Sequence, residues 1–424
     1  MGNWLRPFQK KSMQIKRDIK NFLLSNIVTP KERKIGIEEE FIIYNSYGNR
    51  IPVNRGSEFS ALELLEIVNK KTINNGHYTL EPGGQLEWAS PPLKDLHRLN
   101  KSLLLHKYTL SKLVKQYNLK IISLSTEPVF EPEKIELIED EKYRLMDARF
   151  EATGSLGIWM MRNSASIQIN FDITSERDLE DMAFISDALH PVASYLFSNS
   201  PFKLGSPVGT KNLRSLIWDD TDKERCSNLF DHGIKSSKNL LDDYISYILK
   251  VRSIFRINTY GDIEKSNATI GEELDNANSN ESLENQTIRF YLQQIFTNVR
   301  LKHVLEVRGA DRTPFGYELA PVAFWTGILT DNDTKNIILN EINQWTKEDR
   351  IKLNAAAHIL DSSQKGPANK PFQYFITWAT EMAIRGLKNR NLGEEIYIEK
   401  FIKTVKDNGP YSIQLQNKKI QNLI

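Results

Sequence analysis

Three separated segments of the chain place carboxylates on predicted β-strands. They are residues 35–44 (IGIEEEFIIY), 79–90 (TLEPGGQLEWAS) and 304–311 (VLEVRGAD). Because alternate side chains of a strand share a face, Glu38 and Glu40 point one way and Glu39 points the other. Acidic side chains are costly to bury unpaired, whereas hard divalent cations take several carboxylate oxygens. The pattern predicts a magnesium site.

An arginine stands beside the last of these carboxylates. Glu306 and Arg308 are two positions apart, so they share a strand face. A guanidinium donates two parallel hydrogen bonds to phosphate oxygens, which suits the phosphate chain of a nucleotide. Taken singly, each segment also fits a solvated strand edge or an ordinary ion pair. Their concurrence in one chain favours a magnesium–nucleotide site.

A Gly-rich interruption separates the two carboxylates of the second segment. Pro82-Gly83-Gly84 lies between Glu81 and Glu87 in an otherwise extended stretch. Glycine permits positive φ and a close approach of the backbone. We therefore predict a bulge here that directs both carboxylates at one ion.

A further predicted strand has one wholly polar face. Within residues 164–172 (SASIQINFD) the alternating polar positions are Ser164, Ser166, Gln168 and Asn170. Such a face either meets water or lines a site. Gln168 offers an amide oxygen to a hard metal or to a ribose hydroxyl.

A segment punctuated by Gly and Pro supplies a second arginine. Residues 199–225 contain Arg214 together with several aspartates. Loops of this kind hold substrate groups, and a guanidinium pairs naturally with the carboxylate of an amino acid. The alternative is surface charge on an exposed loop.

Predicted helices alternate with the strands that carry these residues. We predict strands over residues 34–44, 77–90, 119–126, 164–172 and 299–309. We predict helices over residues 13–26, 57–70 (capped by Ser57), 93–118, 176–199, 239–254, 318–330 and 370–391. This order indicates an antiparallel sheet backed by helices, an α+β fold. Residues 1–424 are predicted to form a single domain.

One segment is poor in the apolar residues that a packed element needs. Residues 262–287 are polar and rich in Asn. Such a stretch buries little surface, so we predict a mobile loop or lid rather than a domain boundary.

Composition argues against several classes of protein. Lys and Arg number 56 against 54 Asp and Glu, and the formal charge of +2 does not favour nucleic acid or an anionic membrane as partner. No apolar run approaches the ~20 residues that span a bilayer. A single cysteine, Cys226, excludes an intrachain disulfide, and we predict a cytoplasmic protein. The P-loop, zinc-protease and nucleophile-elbow motifs are all absent from the sequence.

Several motifs resemble those of one known family. They are IGIEEEF (35–41), LEPGGQLEWASPP (80–92), SASIQIN (164–170), the segment LRSLIWDDTDKER (213–225), and RLKHVLEVRGAD (300–311) followed by APVAFWTGIL (320–329). In order and spacing they are similar to the plant-type and bacterial glutamate–cysteine ligase family. The similarity runs from about residue 14 to residue 390.

This resemblance implies a glutamine-synthetase-like fold, a curved antiparallel β-sheet funnel surrounded by α-helices. It implies that the γ-phosphate of ATP passes to the side-chain carboxylate of glutamate. The amine of cysteine then displaces phosphate and gives γ-glutamylcysteine, the first step of glutathione biosynthesis. The implied cofactors are ATP and Mg²⁺, the implied partners are small-molecule substrates, and the chain is expected to be a monomer or homodimer.

The resemblance also assigns roles by position. The implied metal ligands are Glu38, Glu40, Glu81, Glu87, Gln168 and Glu306. The implied nucleotide-binding residues are Arg300, Lys302 and Arg308, and the implied catalytic residues are Arg308 and Glu306. The implied substrate-binding residues are Arg214, on the α-carboxylate of glutamate, with Ser164 and Ser166.

Two positions depart from the plant-type members. Asn163 occupies an arginine position and Ala165 a cysteine position, and the adjacent Arg162 is expected on the opposite strand face. The departure leaves the acceptor amine open, so one alternative is a γ-glutamyl ligase that uses a different amine. A second alternative is a non-catalytic paralogue that binds nucleotide or amino acid.

Overall fold

The computed structural model describes residues 7–72, 74–277, 282–360, 363–418 and 420. The strands are β1 (Ile35–Asn45), β2 (His77–Leu80), β3 (Leu86–Ala89), β4 (Leu119–Ile122), β5 (Ser166–Phe171), β6 (Phe202–Lys203), β7 (Ser206–Pro207), β8 (Cys226–Ser227), β9 (Phe255–Ile257), β10 (Ile263–Lys265), β11 (Phe296–Thr297), β12 (Val299–Leu301) and β13 (Leu305–Asp311). The first nine helices are α1 (Pro7–Leu23), α2 (Ala61–Lys71), α3 (Leu96–Gln116), α4 (Glu141–Thr153), α5 (Gly157–Asn163), α6 (Glu176–Leu196), α7 (Leu213–Asp219), α8 (Leu240–Ile248) and α9 (Ile270–Ala277). The later helices are α10 (Asn285–Leu292), α11 (Leu319–Thr330), α12 (Asn332–Ile342), α13 (Lys347–His358), α14 (Phe372–Asn389), α15 (Ile396–Asn408) and α16 (Tyr411–Gln416).

The main sheet brings the acidic segments side by side. Its strand order is β12-β13-β5-β1-β3-β2, and β4 pairs with the far half of β1. Every pairing in it is antiparallel, and the sheet is open. In register, Glu40 of β1 lies opposite Glu87 of β3, and Glu38 lies opposite Gln168 of β5. The predicted α+β fold with an antiparallel sheet is confirmed.

The other face of β1 packs against helix α3. The His106 ring of α3 stacks on Trp88 with a centroid distance of 4.3 Å and contacts Phe41 at 5.3 Å. Ile37, Phe41 and Trp88 are all buried on this side. Apolar side chains thus cover the back of the strands whose front carries carboxylates, as the period of two requires.

Helices α6, α11 and α14 form the largest helical part of the core. Every residue of α11 from Leu319 to Leu329 is buried. Gly327 of α11 meets Gly386 of α14, where a Cβ built on Gly386 would lie only 1.8 Å from the Gly327 carbonyl oxygen. The two helix backbones therefore cross in direct contact. Among the described helices, none combines the length and apolar character needed to cross a bilayer.

The segment predicted as one bulged strand over residues 77–90 is a hairpin. Strands β2 and β3 pair with each other, and the Gly84 amide donates to the Glu81 carbonyl at 2.8 Å to close the turn. Gly84 has a φ of +77°, which an L side chain rarely adopts. The glycines reverse the chain rather than kink it, so Glu81 and Glu87 stand across the turn from each other. The predicted strand over residues 299–309 is likewise a hairpin, formed by β12 and β13.

Two further predictions need correction. The cap of α2 is Ser60, whose hydroxyl accepts from the Glu63 amide in a capping box, and not Ser57. Residues 262–287 contain β10, α9 and the start of α10, so the predicted mobile loop is wrong for their described part, while residues 278–281 lie outside the described residues. Ile270 and Leu274 are both buried, and this pair at i and i+4 is enough to dock a short helix.

Candidate active site

One cavity of about 260 Å³ gathers most of the predicted site residues, and we call it the acidic cavity. Its acidic lining residues are Glu38, Glu40, Glu81 and Glu87. Its cationic lining residues are Lys142, Arg214, Arg300, Lys302 and Arg308. Ser164, Gln168 and Trp218 also line it. The front face of the sheet thus concentrates charge of both signs around one space.

Three carboxylates in this cavity converge closely. Glu40, Glu81 and Glu87 bring one oxygen each to within 4.8 Å of one another. Strand pairing places Glu87 beside Glu40, and the turn after β2 returns Glu81 to the same point. The Thr79 hydroxyl donates to Glu87 at 2.8 Å. Such a group of oxygens is the ligand type that Mg²⁺ prefers.

The pKa values of Glu81 and Glu87 are raised because both carboxyls are buried with too little positive charge beside them. Burial and the neighbouring charge of Glu40 together raise the pKa of Glu81 to about 7, against the opposing effect of Arg308. Burial also raises the pKa of Glu87 well above its ordinary value, reinforced by Glu81 and Glu38. A bound divalent cation removes this repulsion, so these residues fit a metal.

Strand β5 holds two of the glutamates in place. Glu40 accepts from the Ser166 amide and hydroxyl, both at 2.8 Å, and from the Gln168 amide nitrogen at 2.9 Å. Asn170 donates to Glu38 at 2.9 Å. Ser166 is fully buried behind Glu40, so the structure places it where it orients that carboxylate rather than in the cavity, where substrate contact was predicted.

The predicted metal ligand Gln168 faces a different partner. Its side-chain oxygen accepts from Arg308 at 2.6 Å, and that oxygen is the atom a metal would need. The Ser164 side chain donates to the Met160 carbonyl at 2.8 Å while the residue still lines the cavity. The structure therefore connects Gln168 to the arginine side of the cavity, and its ligation of a metal stays a prediction.

Glu306 is a fully buried anchor for three cations. Its oxygens lie 2.5 Å from Arg300 and 3.0 Å from Arg308, and Lys302 forms a third ion pair with it. Burial alone would raise the pKa of Glu306, but the three positive charges lower it well below the ordinary value. The structure positions Glu306 to orient Arg300, Lys302 and Arg308, and does not bring it into the carboxylate trio. Its role as a metal ligand stays a prediction.

Arg214 reaches the cavity from helix α7. It is 4% exposed, and its nearest acidic partner, Asp311, lies 3.9 Å away. Its Nε atom has no hydrogen-bond partner among the described residues. The ring of Trp218 lies 6.0 Å from the Arg214 guanidinium and 5.6 Å from that of Arg308. A buried guanidinium with unused donors is suited to an incoming carboxylate.

Sequence reasoning missed Lys142 and Trp218. Lys142 is in the first turn of α4, a helix that is absent from the predicted elements although Asp140 caps it. Burial lowers the pKa of Lys142, against the opposing charge of Glu81. The Asp140 capping signal could have located the helix, but nothing local indicates that Lys142 faces Glu81.

The departure at residues 162–163 lies on a helix rather than a strand. Asn163 ends α5 and donates to the Phe130 carbonyl at 2.8 Å, away from the acidic cavity. Arg162 forms an ion pair with Asp147. Neither residue lines the cavity in the described part of the chain. Cys226 is buried, and burial raises the pKa of its thiol to about 12, which disfavours a nucleophilic role.

Comparisons with known proteins show the family to which the chain belongs. The family model "Glutamate-cysteine ligase family 2" matches residues 34–416. The chloroplastic glutamate–cysteine ligase of Arabidopsis thaliana is 32% identical over 289 residues, covering 65% of this chain and 53% of the plant protein. The Medicago truncatula enzyme of the same name is 30% identical over 364 residues, covering 80% of this chain and 69% of the Medicago protein. The match to the Arabidopsis protein thus spans about half of that relative.

A solved structure supports the fold independently of sequence. The glutamate–cysteine ligase of Francisella tularensis, determined in complex with AMP, aligns with a TM-score of 0.59 at 15% identity. The alignment covers 92% of this chain and 86% of that one. The family model extends over most of the sequence and includes every strand of the carboxylate-bearing sheet. The chain belongs to glutamate–cysteine ligase family 2.

Proposed function

We propose that this protein is an ATP- and Mg²⁺-dependent ligase that joins the γ-carboxylate of L-glutamate to the amine of L-cysteine. The product is γ-glutamylcysteine, the first intermediate of glutathione biosynthesis. Membership of the family and the names of the plant relatives support the proposal. The observation that carries it is the acidic cavity, where a carboxylate trio faces a group of arginines and lysines.

Glu40, Glu81 and Glu87 would hold Mg²⁺. Their oxygens already lie within 4.8 Å of one another, and the raised pKa values of Glu81 and Glu87 indicate that positive charge is needed there. Bound Mg²⁺ supplies charge that neutralises the phosphate oxygens of ATP. Ser166 and Gln168 hold Glu40 by hydrogen bonds, which keeps one ligand oriented before the metal arrives.

Arg300, Lys302 and Arg308 would bind the phosphate chain. Glu306 fixes all three by buried ion pairs, so they keep their positions when nucleotide enters. Donors that are held in advance stabilise the charge of a transferring phosphoryl group without reorganising. The AMP in the Francisella structure supports nucleotide binding by this fold.

Arg214 would bind the α-carboxylate of glutamate. Its guanidinium is buried at the cavity wall, and Asp311 at 3.9 Å is too distant to use its donors fully. A glutamate held there extends its side-chain carboxylate toward the trio and the phosphate-binding residues. The glutamate carboxylate and the terminal phosphate then meet in one space.

The chemistry needs no protein nucleophile. A γ-carboxylate oxygen forms a bond to the γ-phosphorus of ATP, and the bond to ADP breaks. The amine of the acceptor then attacks the acyl carbon, phosphate leaves, and the amine loses a proton. Positioning and charge neutralisation supply most of the rate enhancement in such a transfer.

A second candidate keeps the activation of glutamate but joins it to another amine. Asn163 occupies the position at which an arginine is expected from the resemblance to plant-type members. Its side-chain amide donates a hydrogen bond to the Phe130 carbonyl. Arg162 is held by Asp147 and does not replace that arginine. These contacts favour an acceptor subsite different from that of the plant relatives.

The test measures phosphate release with ATP, Mg²⁺ and glutamate fixed, across a panel of amines. We expect cysteine to give the fastest release and γ-glutamylcysteine to accumulate. Faster release with another amine would support the second candidate and contradict the first.

A non-catalytic paralogue is tested by removing one carboxylate. We expect Glu40→Gln to abolish phosphate release while the exposed Glu66→Gln variant retains it. No phosphate release by the parent protein with any amine would contradict ligase activity altogether.

A further inference from the structure

A second cavity lies behind the sheet, on the face opposite the acidic cavity. It measures about 680 Å³ and is bounded by β1, α3, β4 and the segment after β13. We call it the back-face cavity. Glu39 lines it, whereas Glu38 and Glu40 line the acidic cavity, because successive strand residues point to opposite faces. The two cavities share no lining residue in the described parts of the chain.

The walls of the back-face cavity are mostly apolar. Phe41 and Leu110 are buried there, and Val114, Leu119 and Ile121 are half-buried beside them. Tyr108 and Phe315 also line the cavity and are 58% and 48% exposed, and the Phe315 ring lies 4.4 Å from the Arg312 guanidinium. Large apolar side chains that flank an open concave space are typical of ligand sites.

Two lysines line the cavity at the C-terminal end of α3 and on β4. Lys115 and Lys120 line the cavity and are exposed, and neither has an acidic partner among the described residues. Lys107, by contrast, forms an ion pair with Glu318 at 2.7 Å, so that pair is neutral overall. The part of the cavity between the last turn of α3 and β4 therefore carries a net positive charge next to apolar walls.

The inner end is polar and incompletely hydrogen-bonded. One oxygen of Glu39 lies 3.1 Å from Arg312, while the other has no partner among the described residues. The Nε2 atom of His106 also has no hydrogen-bond partner among the described residues, and it lies 3.9 Å from this second oxygen of Glu39. All three side chains are at most 1% exposed. Buried charged and polar side chains therefore close this end of the cavity.

We infer that the back-face cavity binds a small amphipathic anion, with its apolar chain between α3 and β4 and its acidic group beside Lys115 and Lys120. Charge complementarity excludes a cationic amphiphile, and the apolar walls exclude a small inorganic anion as the main ligand. The inference does not depend on the proposed ligase activity, because the lining residues of the two cavities are separate.

The test is calorimetric titration of the full chain with decanoate as probe. We expect saturable binding of one decanoate per chain, with no saturable binding of acetate or decyltrimethylammonium. Val114→Trp, which fills the cavity, should abolish binding. The double variant Lys115→Glu/Lys120→Glu should lower affinity at least about tenfold, since two attractive charges become repulsive.

Lys101→Glu is the matched control, because Lys101 is exposed on the same helix but does not line the cavity. It should bind decanoate within about twofold of the parent, since distant exposed charges are screened. Circular dichroism of each variant establishes that the fold is retained. An equal loss of decanoate affinity in Lys101→Glu and in the double variant would overturn the inference, as would decanoate binding that persists in Val114→Trp. So would a concentration-dependent dimer that Val114→Trp dissociates, because the face would then be covered by a second copy.

Discussion

At the scale of single residues, the acidic cavity contains buried carboxylates whose negative charge disfavours the folded state. Glu81 and Glu87 have raised pKa values because burial and neighbouring carboxylates disfavour their charged forms. Glu306, equally acidic, has a lowered pKa because three cations surround it. The contrast separates two uses of glutamate in one site: an unneutralised set suited to a metal, and a neutralised anchor for cations.

The first prediction concerns the pH dependence of Mg²⁺ binding. A carboxyl must lose its proton to bind a metal, and the pKa of Glu81 is about 7. Mg²⁺ affinity should therefore rise about tenfold per pH unit below pH 7 for each proton released. Calorimetry in buffers of different ionisation enthalpy measures both the affinity and the protons released.

The same shift predicts a stability effect of opposite sense. The folded pKa of Glu81 lies above its ordinary value of 4.5, so the metal-free protein loses stability as pH rises from about 4.5 to about 7. Glu81→Gln should raise the unfolding temperature of the metal-free protein at pH 8 while it weakens Mg²⁺ binding. Mg²⁺ affinity that does not change between pH 6 and pH 8 would contradict this account.

The second prediction concerns Arg214. Arg214→Ala removes a buried guanidinium whose donors are not fully used, so the KM for glutamate should rise at least about tenfold. The KM for ATP should change by less than about twofold. Steady-state kinetics with each substrate varied in turn gives the comparison, and Arg214→Lys controls for charge. An equal rise for both substrates would mean that Arg214 acts on the whole cavity.

At the scale of elements, two hairpins do most of the positioning. The hairpin of β2 and β3 brings Glu81 and Glu87 together, and the hairpin of β12 and β13 brings Arg300 opposite Glu306. Both were predicted as single strands, because alternation continues through a tight turn and does not reveal a reversal. The glycine pair at residues 83–84 indicates an irregularity in the strand, but it does not show whether the chain bulges or reverses there.

The third prediction isolates the turn at Gly84. Gly84→Ala should lower stability by about 1–2 kcal/mol, because an alanine is strained at positive φ. It should also reduce Mg²⁺ affinity, since the new Cβ would lie 2.8 Å from Val53 and must shift the turn that carries Glu81.

Gly48→Ala is the matched control for the turn. Gly48 has a φ of +80°, and nothing lies within 4 Å of an added Cβ. It should lose similar stability in urea titrations and keep full Mg²⁺ affinity. Unchanged Mg²⁺ affinity in Gly84→Ala would show that the turn does not set the position of the trio.

At the scale of the whole molecule, the site depends on contacts between distant parts of the chain. Strand β5 lies between β1 and β13, so residues near positions 38, 168 and 306 become neighbours. The buried residues of helices α6, α11 and α14 form the helical core that supports this sheet. Disturbing the helical core should therefore lower global stability without altering which residues form the cavity.

The fourth prediction tests that support. Gly386→Ala places a Cβ 1.8 Å from the Gly327 carbonyl oxygen, so the two helices must separate. We expect a loss of about 3 kcal/mol in the free energy of unfolding, at the upper end for overpacking. Urea denaturation measures it, with Gly56→Ala as control because its added Cβ meets nothing within 4 Å. Equal midpoints for the two variants would contradict the close helix contact.

The amino-acid sequence by itself determined which side chains share a strand face and what chemistry they favour. Alternation along β1 separated Glu38 and Glu40 from Glu39, because the strand period of two is a local property. Only the tertiary structure decided that Glu40, Glu81 and Glu87 form the close trio, while Glu306 is enclosed by cations. That outcome depends on strand register and on hairpin turns. These relations are set by packing between segments far apart in the chain, which no local pattern encodes.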